Sequence, residues 1–282
     1  MQSLIQHIRT QLSDVYSPEE LREIAFLVLE KITGCNRAEI LTKKVTELSV
    51  KQQIKLETIL SRLKNSEPIQ YIFGETEFYG LPFFVTPDVL IPRPETEELV
   101  NWIVSKFKVQ SSKFKVLDIG TGSGCIAVAL AKHLPRASVT AMDISSAALA
   151  VAQKNADRNN VLVKFLEKDI LSLHDISEKY DVIVSNPPYV SETEKNEIAE
   201  NVLNFEPHLA LFVANRNPLI FYEAIAYFAK KQLNDGGFLY FEINRMFGST
   251  IIELLQKKGF SNVELRKDMF GNDRMVRAMV DI

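Results

Sequence analysis

The chain has 282 residues with a formal net charge of −3 at pH 7, and 46% of its residues are hydrophobic. This length allows one large domain, or one domain and a smaller one, and the apolar content is enough for a packed core. The acidic balance argues against a general nucleic-acid binder, which normally carries a basic face. No apolar run approaches the ~20 residues of a membrane span, and the first residues lack the pattern of a signal peptide. We therefore expect a cytoplasmic protein without membrane association.

The cysteines and histidines do not form a recognisable framework. Cys35 and Cys125 are far apart, and the four histidines are scattered. Neither disulfides nor a zinc site is indicated, so a reducing compartment fits and no metal is expected. Cys125 begins a predicted helix, where the dipole could activate the thiol. A small packed residue is the simpler interpretation.

Residues 1–70 are predicted to form a separate helical bundle. Ser17–Glu20 is a capping box with proline at the first helical position, and apolar residues follow at helical spacing up to Gly34. Residues 36–39 and 49–52 open two further helices. The bundle is either a folding appendage or a module that docks a partner, and the pattern leaves both interpretations open.

The next stretch changes period. Three short aromatic and β-branched runs, Gln70–Gly74, Glu77–Gly80 and Leu81–Val85, predict hairpin strands that link two domains. Leu90–Glu98 is a proline-stiffened loop that leads into a helix. Its acidic residues, taken alone, are explained as complements of the helix dipole.

A glycine-rich loop between a strand and a helix is the first sign of a ligand site. The predicted strand Phe114–Ile119 is followed by Gly120–Gly124 and then by an apolar helix. Glycines let a backbone approach a ligand closely, and a helix start offers free N–H groups. A second strand ends at Asp143, about 20 residues on, where an acid can bind ribose hydroxyls. Because Gly-x-Gly-x-Gly lacks the last spacing of the dinucleotide fingerprint, S-adenosylmethionine is favoured over NAD.

A second site candidate is Ser185–Tyr189, which follows the predicted buried strand Tyr180–Val184. The side-chain oxygen of Asn186 and the carbonyl of Pro187 are two acceptors on a stiff frame, suited to a planar NH2 group. Such a group is a poor nucleophile, and holding both N–H bonds would orient it. Tyr189 could pack against it. The alternative is an ordinary turn in which asparagine is a local cap.

The whole pattern from residue 113 onward predicts a doubly wound α/β fold. A helix over 145–159 and a strand over 161–166 continue the alternation, and Asp169 and Ile170 follow as possible adenine contacts. Gly236-Gly237 is expected to turn into a strand at 238–243. Two strands near 263–266 and 275–280 should close the chain as an antiparallel pair.

With these motifs assembled, the chain resembles the HemK/PrmC family. The likeness is carried by segments along nearly the whole chain: Pro68–Ile72, Leu90–Glu97, Val116–Ile126, Asn186–Tyr189, Glu206-Pro207, Lys267-Asp268 and Gly271–Arg274. The resemblance implies a Rossmann-like class I S-adenosylmethionine-dependent methyltransferase fold. It also implies methylation of the side-chain amide nitrogen (N5) of the Gly-Gly-Gln glutamine in peptide chain release factors, modulating translation termination. S-adenosylhomocysteine would be the product.

The resemblance also implies an organisation and a set of site residues. The domains would be a helical substrate-docking domain at 1–70, a β-hairpin linker at 71–90 and a methyltransferase domain at 91–282. The cofactor contacts would be Gly120, Thr121, Gly122, Ser123, Gly124, Asp143, Asp169, Ile170 and Asn186. The catalytic residues would be Asn186, Pro187 and Tyr189, and the substrate would be bound by Arg93, Glu95, Thr96, Asn186, Pro187, Pro188 and Tyr189.

Two departures and two rivals accompany this interpretation. Phe212–Leu219 replaces a Gly-rich turn of the family, and Glu242-Ile243-Asn244 lacks the expected glycine and a later glutamine. Asn-Pro-Pro-Tyr would also fit an N6-adenine DNA or RNA methyltransferase, and a non-catalytic cofactor-binding protein is the other rival. We expect a monomer that binds release factors and no nucleic acid stably.

Overall fold

The computed structural model describes residues 2–42, 47–173, 177–191, 195, 199–213 and 217–281. Its contacts divide the chain into two compact units. The first unit comprises Met1–Gly74 and Ala199–Phe205, and the second comprises Glu75–Ile198 and Glu206–Ile282.

The helices of the described residues are α1 (Gln2–Leu12), α2 (Pro18–Thr33), α3 (Arg37–Thr42), α4 (Val50–Lys64), α5 (Ile69–Phe73), α6 (Pro94–Phe107), α7 (Cys125–His133), α8 (Ser146–Arg158), α9 (Glu200–Phe205), α10 (His208–Leu211), α11 (Ile220–Gln232) and α12 (Gly248–Lys257). The strands are β1 (Glu75–Phe78), β2 (Leu81–Phe84), β3 (Phe114–Ile119), β4 (Ala137–Asp143), β5 (Val163–Glu167), β6 (Tyr180–Ser185), β7 (Val190–Ser191), β8 (Phe212–Val213), β9 (Leu233–Glu242), β10 (Ser261–Lys267) and β11 (Asp273–Met279).

The predicted caps of the first unit are present. The Ser17 hydroxyl accepts from the Glu20 N–H, and the Glu20 carboxylate accepts from the Ser17 N–H, which completes the capping box of α2. Gly34 ends α2 in the left-handed conformation, which glycine adopts without a Cβ penalty. Ser49 and Gln52 form the same box at α4. Local hydrogen bonds therefore set the bounds of these helices, and one apolar cluster joins their buried faces.

The strand predicted over Gln70–Gly74 is wrong. Ile69–Phe73 forms the short helix α5, which starts after Pro68 and ends at Gly74 in the left-handed conformation. The aromatic and β-branched composition that suggested a strand instead serves packing, because Tyr71 is buried and Phe73 packs against the helical cluster. Tertiary packing overrides strand propensity here.

The hairpin β1–β2 belongs to the second unit. Phe78 and Phe83 meet edge to face, with ring centroids 5.9 Å apart, and both are buried in a core cluster of that unit. The buried Asn155 of α8 accepts from the Phe84 N–H at 2.6 Å and donates to the Phe84 carbonyl at 3.0 Å. The interpretation of 71–90 as a β-hairpin linker stays a prediction, and these contacts lie within the second unit.

The second unit is built on a seven-stranded sheet with the order β10-β11-β9-β6-β3-β4-β5. The five strands β9, β6, β3, β4 and β5 are parallel, and β11 and β10 close the sheet antiparallel to their neighbours. The chain runs outward from β3 to β5 and then returns to β6 on the other side of β3. This reversal places a switch point between β3 and β6, where ligands bind in open α/β sheets. The predicted doubly wound fold and closing antiparallel pair are confirmed.

Successive residues of the central strands point to opposite faces of the sheet. Val116 and Val182 join the cluster that contains α6 and α7, whereas Leu117 and Ile183 join the cluster that contains α11 and α12. Both faces are covered, which explains why β3 and β6 read as continuous apolar runs.

One turn prediction is wrong. Gly236-Gly237 was expected to precede a strand, but β9 runs through both glycines from Leu233. The pairing of β9 with β6 shifts register between Tyr180 and Val182, and Gly236 has φ of 73°. The pair therefore marks an irregularity inside the strand, a role that glycines often have in sheets.

Candidate active site

A cavity of about 390 Å³ opens at the carboxyl ends of β3, β4 and β6 within the second unit. Ser185, the last residue of β6, donates its hydroxyl to the carbonyl of Ile119 at the end of β3, 2.7 Å away. This bond fixes the two strand ends from which the glycine loop and the Asn-Pro-Pro-Tyr loop depart. Both loops line the cavity.

The glycine loop is a turn that presents open backbone. Gly120 and Gly122 have φ of 72° and 53°, and a Cβ added at either would meet no atom within 4 Å. The N–H groups of Gly120 and Thr121 both donate to the Met142 carbonyl, at 2.8 and 3.0 Å. The loop is thus pinned to β4 while its backbone faces free space. Gly124 differs, since an added Cβ would lie 2.9 Å from Ala152 Cβ.

Asp143 ties the end of β4 to this loop. Its Oδ2 accepts from the Gly122 N–H at 2.8 Å, and its Oδ1 accepts from the Ser145 N–H at 2.9 Å. Burial raises the pKa of Asp143, whereas these backbone hydrogen bonds lower it. Each carboxylate oxygen has a second lone pair, so the group can still accept from a ligand hydroxyl. Asp169 and Ile170, at the next loop along the edge, also line the cavity.

Two residues that support the loop were missed from the sequence. Asp118 is fully buried, accepts from the Thr121 hydroxyl at 2.6 Å through Oδ2, and has a buried Oδ1 without a partner among the described atoms. Burial raises its pKa to about 7. Asn155 donates to the Ser123 carbonyl at 2.9 Å. An acidic residue inside an apolar strand, two positions before the first glycine, was the available signal for Asp118.

The second loop brings Asn186, Pro187 and Pro188 to the cavity wall. Asn186 donates its side-chain Nδ2 to the hydroxyl of Thr96, 3.4 Å away. Tyr189 is not among the residues that line the cavity. Its ring packs against the cluster that contains α11 and α12, and burial raises its pKa. In this structure Tyr189 anchors the loop to that cluster and does not face the cavity.

The loop before α6 contributes a buried ion pair to the cavity wall. Glu206 is buried, and its carboxylate accepts from Arg93 at 2.5 Å and from the Ile91 N–H at 3.1 Å. Arg93 and Thr96 line the cavity, whereas Glu95 does not. Each oxygen of the Glu206 carboxylate accepts one of these hydrogen bonds, which holds the loop in place. No sequence motif indicates this pairing.

Thr96 joins a second buried carboxylate. Its hydroxyl donates to Oε2 of Glu242 at 2.6 Å, and both side chains are buried. Burial raises the pKa of Glu242 to about 7, although the Thr96 hydrogen bond and Arg274 lower it. In the sequence, Glu242 stands out only as part of a segment that departs from the family motif. No signal linked it to the start of α6.

Cys125 also lines the cavity, and its environment favours packing over reactivity. Burial raises the pKa of its thiol to about 12, so the thiolate is scarce at neutral pH. Within the described ranges, no group of three or more His, Cys, Asp and Glu side chains is placed to hold a metal ion. No helix in that part of the chain is long and apolar enough to cross a membrane.

Two family models match the chain. The model "Methyltransferase small domain" matches residues 98–209, and the model "PrmC N-terminal domain" matches residues 3–74. Among solved structures, a methyltransferase from Pyrococcus furiosus has a TM-score of 0.54 at 20% identity, with 83% of this chain and 100% of that chain covered. The catalytic domain of hMettl16, in complex with a 3′UTR hairpin, has a TM-score of 0.57 at 17% identity, with 83% and 82% covered. The sheet order and the loops of the cavity define a class I S-adenosylmethionine-dependent methyltransferase fold.

The curated relatives are closer. A protein of Flavobacterium psychrophilum named release factor glutamine methyltransferase is 49% identical over 280 residues, covering 97% of this chain and 98% of the relative. A protein of the same name from Bacteroides thetaiotaomicron is 47% identical over 279 residues, covering 99% of each. The chain belongs to the release factor glutamine methyltransferase family.

Proposed function

We propose that this protein transfers a methyl group from S-adenosylmethionine to the N5 side-chain nitrogen of the Gly-Gly-Gln glutamine in peptide chain release factors. The observation that carries the proposal is that the glycine loop and Asn186 line one cavity. The proposed cofactor site and the proposed clamp for a planar amide would therefore be adjacent. Family membership at 49% identity over nearly the full length supports the same reaction.

The residues of the cavity suit the cofactor. The open backbone at Gly120 and Gly122 would accept a close ligand, and the Asp143 carboxylate would accept from ribose hydroxyls. Asp169 and Ile170 would flank the adenine. S-adenosylmethionine, when bound, supplies a methyl group on a sulfonium sulfur and so needs no strong base. The protein's part is then to align the nucleophile.

Alignment is the work of the second loop. The Asn186 side-chain oxygen and the Pro187 carbonyl would each accept one N–H of the glutamine amide, which fixes the plane of the NH2 group. Two acceptors also favour positive charge as it develops on the nitrogen during transfer. The proton then leaves to water. Pro188 and Arg93 would shape the wall on either side, and Tyr189 would hold the loop from behind.

The first unit has the separate role of recognising the protein substrate in this proposal. Residues 3–74 match the PrmC N-terminal domain model, and the unit has its own apolar cluster. We also propose that the protein works as a monomer in the cytoplasm, where release factors act, and binds no nucleic acid stably. The net charge of −3 supports that last point.

Methyl transfer from radiolabelled S-adenosylmethionine tests the proposal. The full-length protein would be given a release factor, the same factor with the Gly-Gly-Gln glutamine replaced by alanine, total RNA and duplex DNA. Label only on the unsubstituted release factor is the expected result. Label on RNA or DNA would instead support an adenine methyltransferase, which must take the base out of its stack. Cofactor binding without transfer to any substrate would support a non-catalytic binding protein.

A further inference from the structure

A chain of hydrogen bonds connects Asn186 to a buried carboxylate that does not line the cavity. Glu242, at the end of β9, is 2% exposed, and its Oε2 accepts from the Thr96 hydroxyl at 2.6 Å. Thr96 is also 2% exposed and accepts from Asn186 Nδ2 at 3.4 Å. The three residues come from three different elements of the second unit. Only Asn186 and Thr96 line the cavity.

The chemistry of these groups determines which group donates and which accepts in each hydrogen bond. An ionised carboxylate can only accept, so the single hydroxyl proton of Thr96 must go to Glu242. The Thr96 oxygen can then only accept, and the NH2 end of the Asn186 amide is the end that can donate to it. Because the amide is planar, the opposite end, Oδ1, is left for the cavity.

We infer that Glu242 and Thr96 are positioning residues that hold the Asn186 amide with its oxygen, rather than its NH2 group, toward the substrate glutamine. The inference rests on the proposed function, because an acceptor is what a glutamine NH2 group requires. A reversed Asn186 amide would set two NH2 groups against each other. In the described part of the chain, the side-chain hydrogen bond to this buried carboxylate comes from the Thr96 hydroxyl.

Protonation of Glu242 should allow the Asn186 amide to adopt either orientation. A neutral Glu242 can donate to the Thr96 oxygen, which frees the Thr96 proton to donate to Asn186 and allows the amide to turn over. Burial raises the pKa of Glu242 to about 7. The carboxylate form therefore predominates above about pH 7 and is lost as the pH falls below it. Methyl transfer should weaken over the same interval.

The groups that face Glu242 are compatible with this assignment. The charged and titratable ones come from the neighbouring loops, helices and strands: Arg93, Glu95, Cys125, Tyr189, Tyr222 and Arg274. The two arginines favour the carboxylate, whereas burial and Glu95 oppose it. The pKa values of Tyr189, Tyr222 and Cys125 are all raised by burial. Those three groups stay neutral at pH 7 and do not compete for the transition.

The first measurement needs no substrate. The side-chain NH2 resonances of Asn186 in the 15N-labelled full-length protein, assigned by their loss in Asn186→Ala, would be followed between about pH 6 and about pH 8.5, the range around the Glu242 pKa. We expect them to shift with a midpoint near 7 in the wild type and to show no such shift in Glu242→Gln. A wild-type resonance that does not move, or the same midpoint in both proteins, overturns the inference.

The second measurement is kcat for release factor methylation at saturating cofactor. In the wild type kcat should fall as the pH drops below about 7, whereas in Glu242→Gln it should be lower but independent of pH there. Thr96→Val should lose about 10-fold or more in kcat, as expected when a polar positioning group is removed. Thr96→Ser, which keeps the hydroxyl, should recover most of it. Cofactor affinity should change little in all of them.

The matched control is Thr140→Val, which alters a buried threonine of β4 that does not line the cavity. It should keep the wild-type pH profile. An unchanged kcat in folded Thr96→Val, or an acid limb that persists in Glu242→Gln, overturns the inference. If the Asn186 resonances titrate as expected but the wild type methylates no release factor, the proposed function fails. The orientation of the Asn186 amide by Thr96 and Glu242 is then still supported.

Discussion

The carboxylate of Asp143 accepts a hydrogen bond from the backbone N–H of Gly122 at 2.8 Å, across 21 positions of the chain. The bond joins the end of β4 to the middle of the glycine loop. The same carboxylate accepts from the Ser145 N–H and so also fixes the turn into α8. The Asp143 side chain therefore stabilises the conformation of the glycine loop and can still accept a hydrogen bond from a ligand.

Asp143→Ala should weaken S-adenosylmethionine binding by about 1.5–3 kcal/mol, the range for a hydrogen bond to a charged group. Two effects contribute to the lost affinity. The variant lacks the carboxylate proposed to accept from the ribose hydroxyls, and the Gly122 N–H loses its hydrogen-bond acceptor. Calorimetry on the folded variant measures the loss of affinity. Asp157→Ala, on the exposed side of α8, is the control and should bind as the wild type does. Equal affinity in Asp143→Ala would remove Asp143 from the site.

Gly124→Ala should destabilise the protein more than Gly259→Ala. Both glycines have nearly the same left-handed backbone, with φ of 79° and 78°, so the conformational penalty of alanine, about 1 kcal/mol, is shared. At Gly124 the new Cβ would lie 2.9 Å from Ala152 Cβ, whereas at Gly259 the nearest atom is the flexible end of Lys230 at 3.6 Å. Thermal unfolding of both variants compares them, and equal melting temperatures would contradict the crowding at Gly124.

Asp118→Asn should change the pH dependence of stability. Burial raises the pKa of Asp118 from 3.8 to about 7 in the folded protein, so the unfolded state binds its proton less tightly. The stability that this group contributes is present below about pH 4 and is lost as the pH rises to about 7, by up to about 4 kcal/mol. Asparagine does not titrate.

Denaturant unfolding of the ligand-free protein near pH 5 and near pH 8 tests this difference. Relative to the wild type, Asp118→Asn should gain stability between the two conditions. Asp157→Asn, on the exposed face of α8, serves as the control and should follow the wild type. A parallel pH dependence in wild type and Asp118→Asn would show that the buried carboxyl is not the titrating group.

Deleting residues 1–74, which form most of the first unit, should raise KM for an intact release factor by about tenfold or more, since each 1.4 kcal/mol of lost docking energy is tenfold. The residues proposed to bind the cofactor all lie in the second unit, so cofactor affinity should stay near that of the wild type. A short peptide containing Gly-Gly-Gln provides the comparison, because both proteins should methylate it with similar kinetics. Equal turnover of the intact factor by both proteins would refute the docking role.

The sequence predicted the features that depend on local pattern. The capping box at Ser17, the strand before the glycine loop and the antiparallel end of the sheet all follow from spacing that a few neighbouring residues determine. Where contacts with residues distant in the sequence determine the secondary structure of a short segment, the local pattern gave a wrong prediction. Gln70–Gly74 has the composition of a strand but packs as helix α5 against the bundle.

Sequence motifs pointed to residues that line the cavity, such as Asn186 and Asp143, but not to pairs of residues that meet only through the fold. Asn186 and Asp143 stand at strand ends that alternation alone identifies. The bonds of Thr96 to Glu242 and of Arg93 to Glu206 join residues 146 and 113 positions apart. No single-sequence pattern specifies such pairs, because they depend on which strand ends the sheet order brings together.

The most direct test of the account is a paired measurement on Asn186→Ala. Cofactor affinity is measured by calorimetry, and methyl transfer to a release factor is measured at saturating cofactor. Because the glycine loop and Asp143 are unchanged, cofactor affinity should fall far less than turnover. Turnover should fall by about 10²–10³, as when a positioned polar group is removed from a dry site.

Two further variants frame that measurement. Asn101→Ala removes an exposed amide of α6 that bonds Tyr79 and should leave both quantities unchanged. Asn186→Asp keeps one acceptor but adds a charge beside the cationic sulfonium, so it should hold or tighten cofactor binding while transfer falls. Folded Asn186→Ala should lose far more turnover than cofactor affinity and should transfer methyl at well under a tenth of the wild-type rate; transfer at the wild-type rate would show that the loop is only a turn and contradict the account.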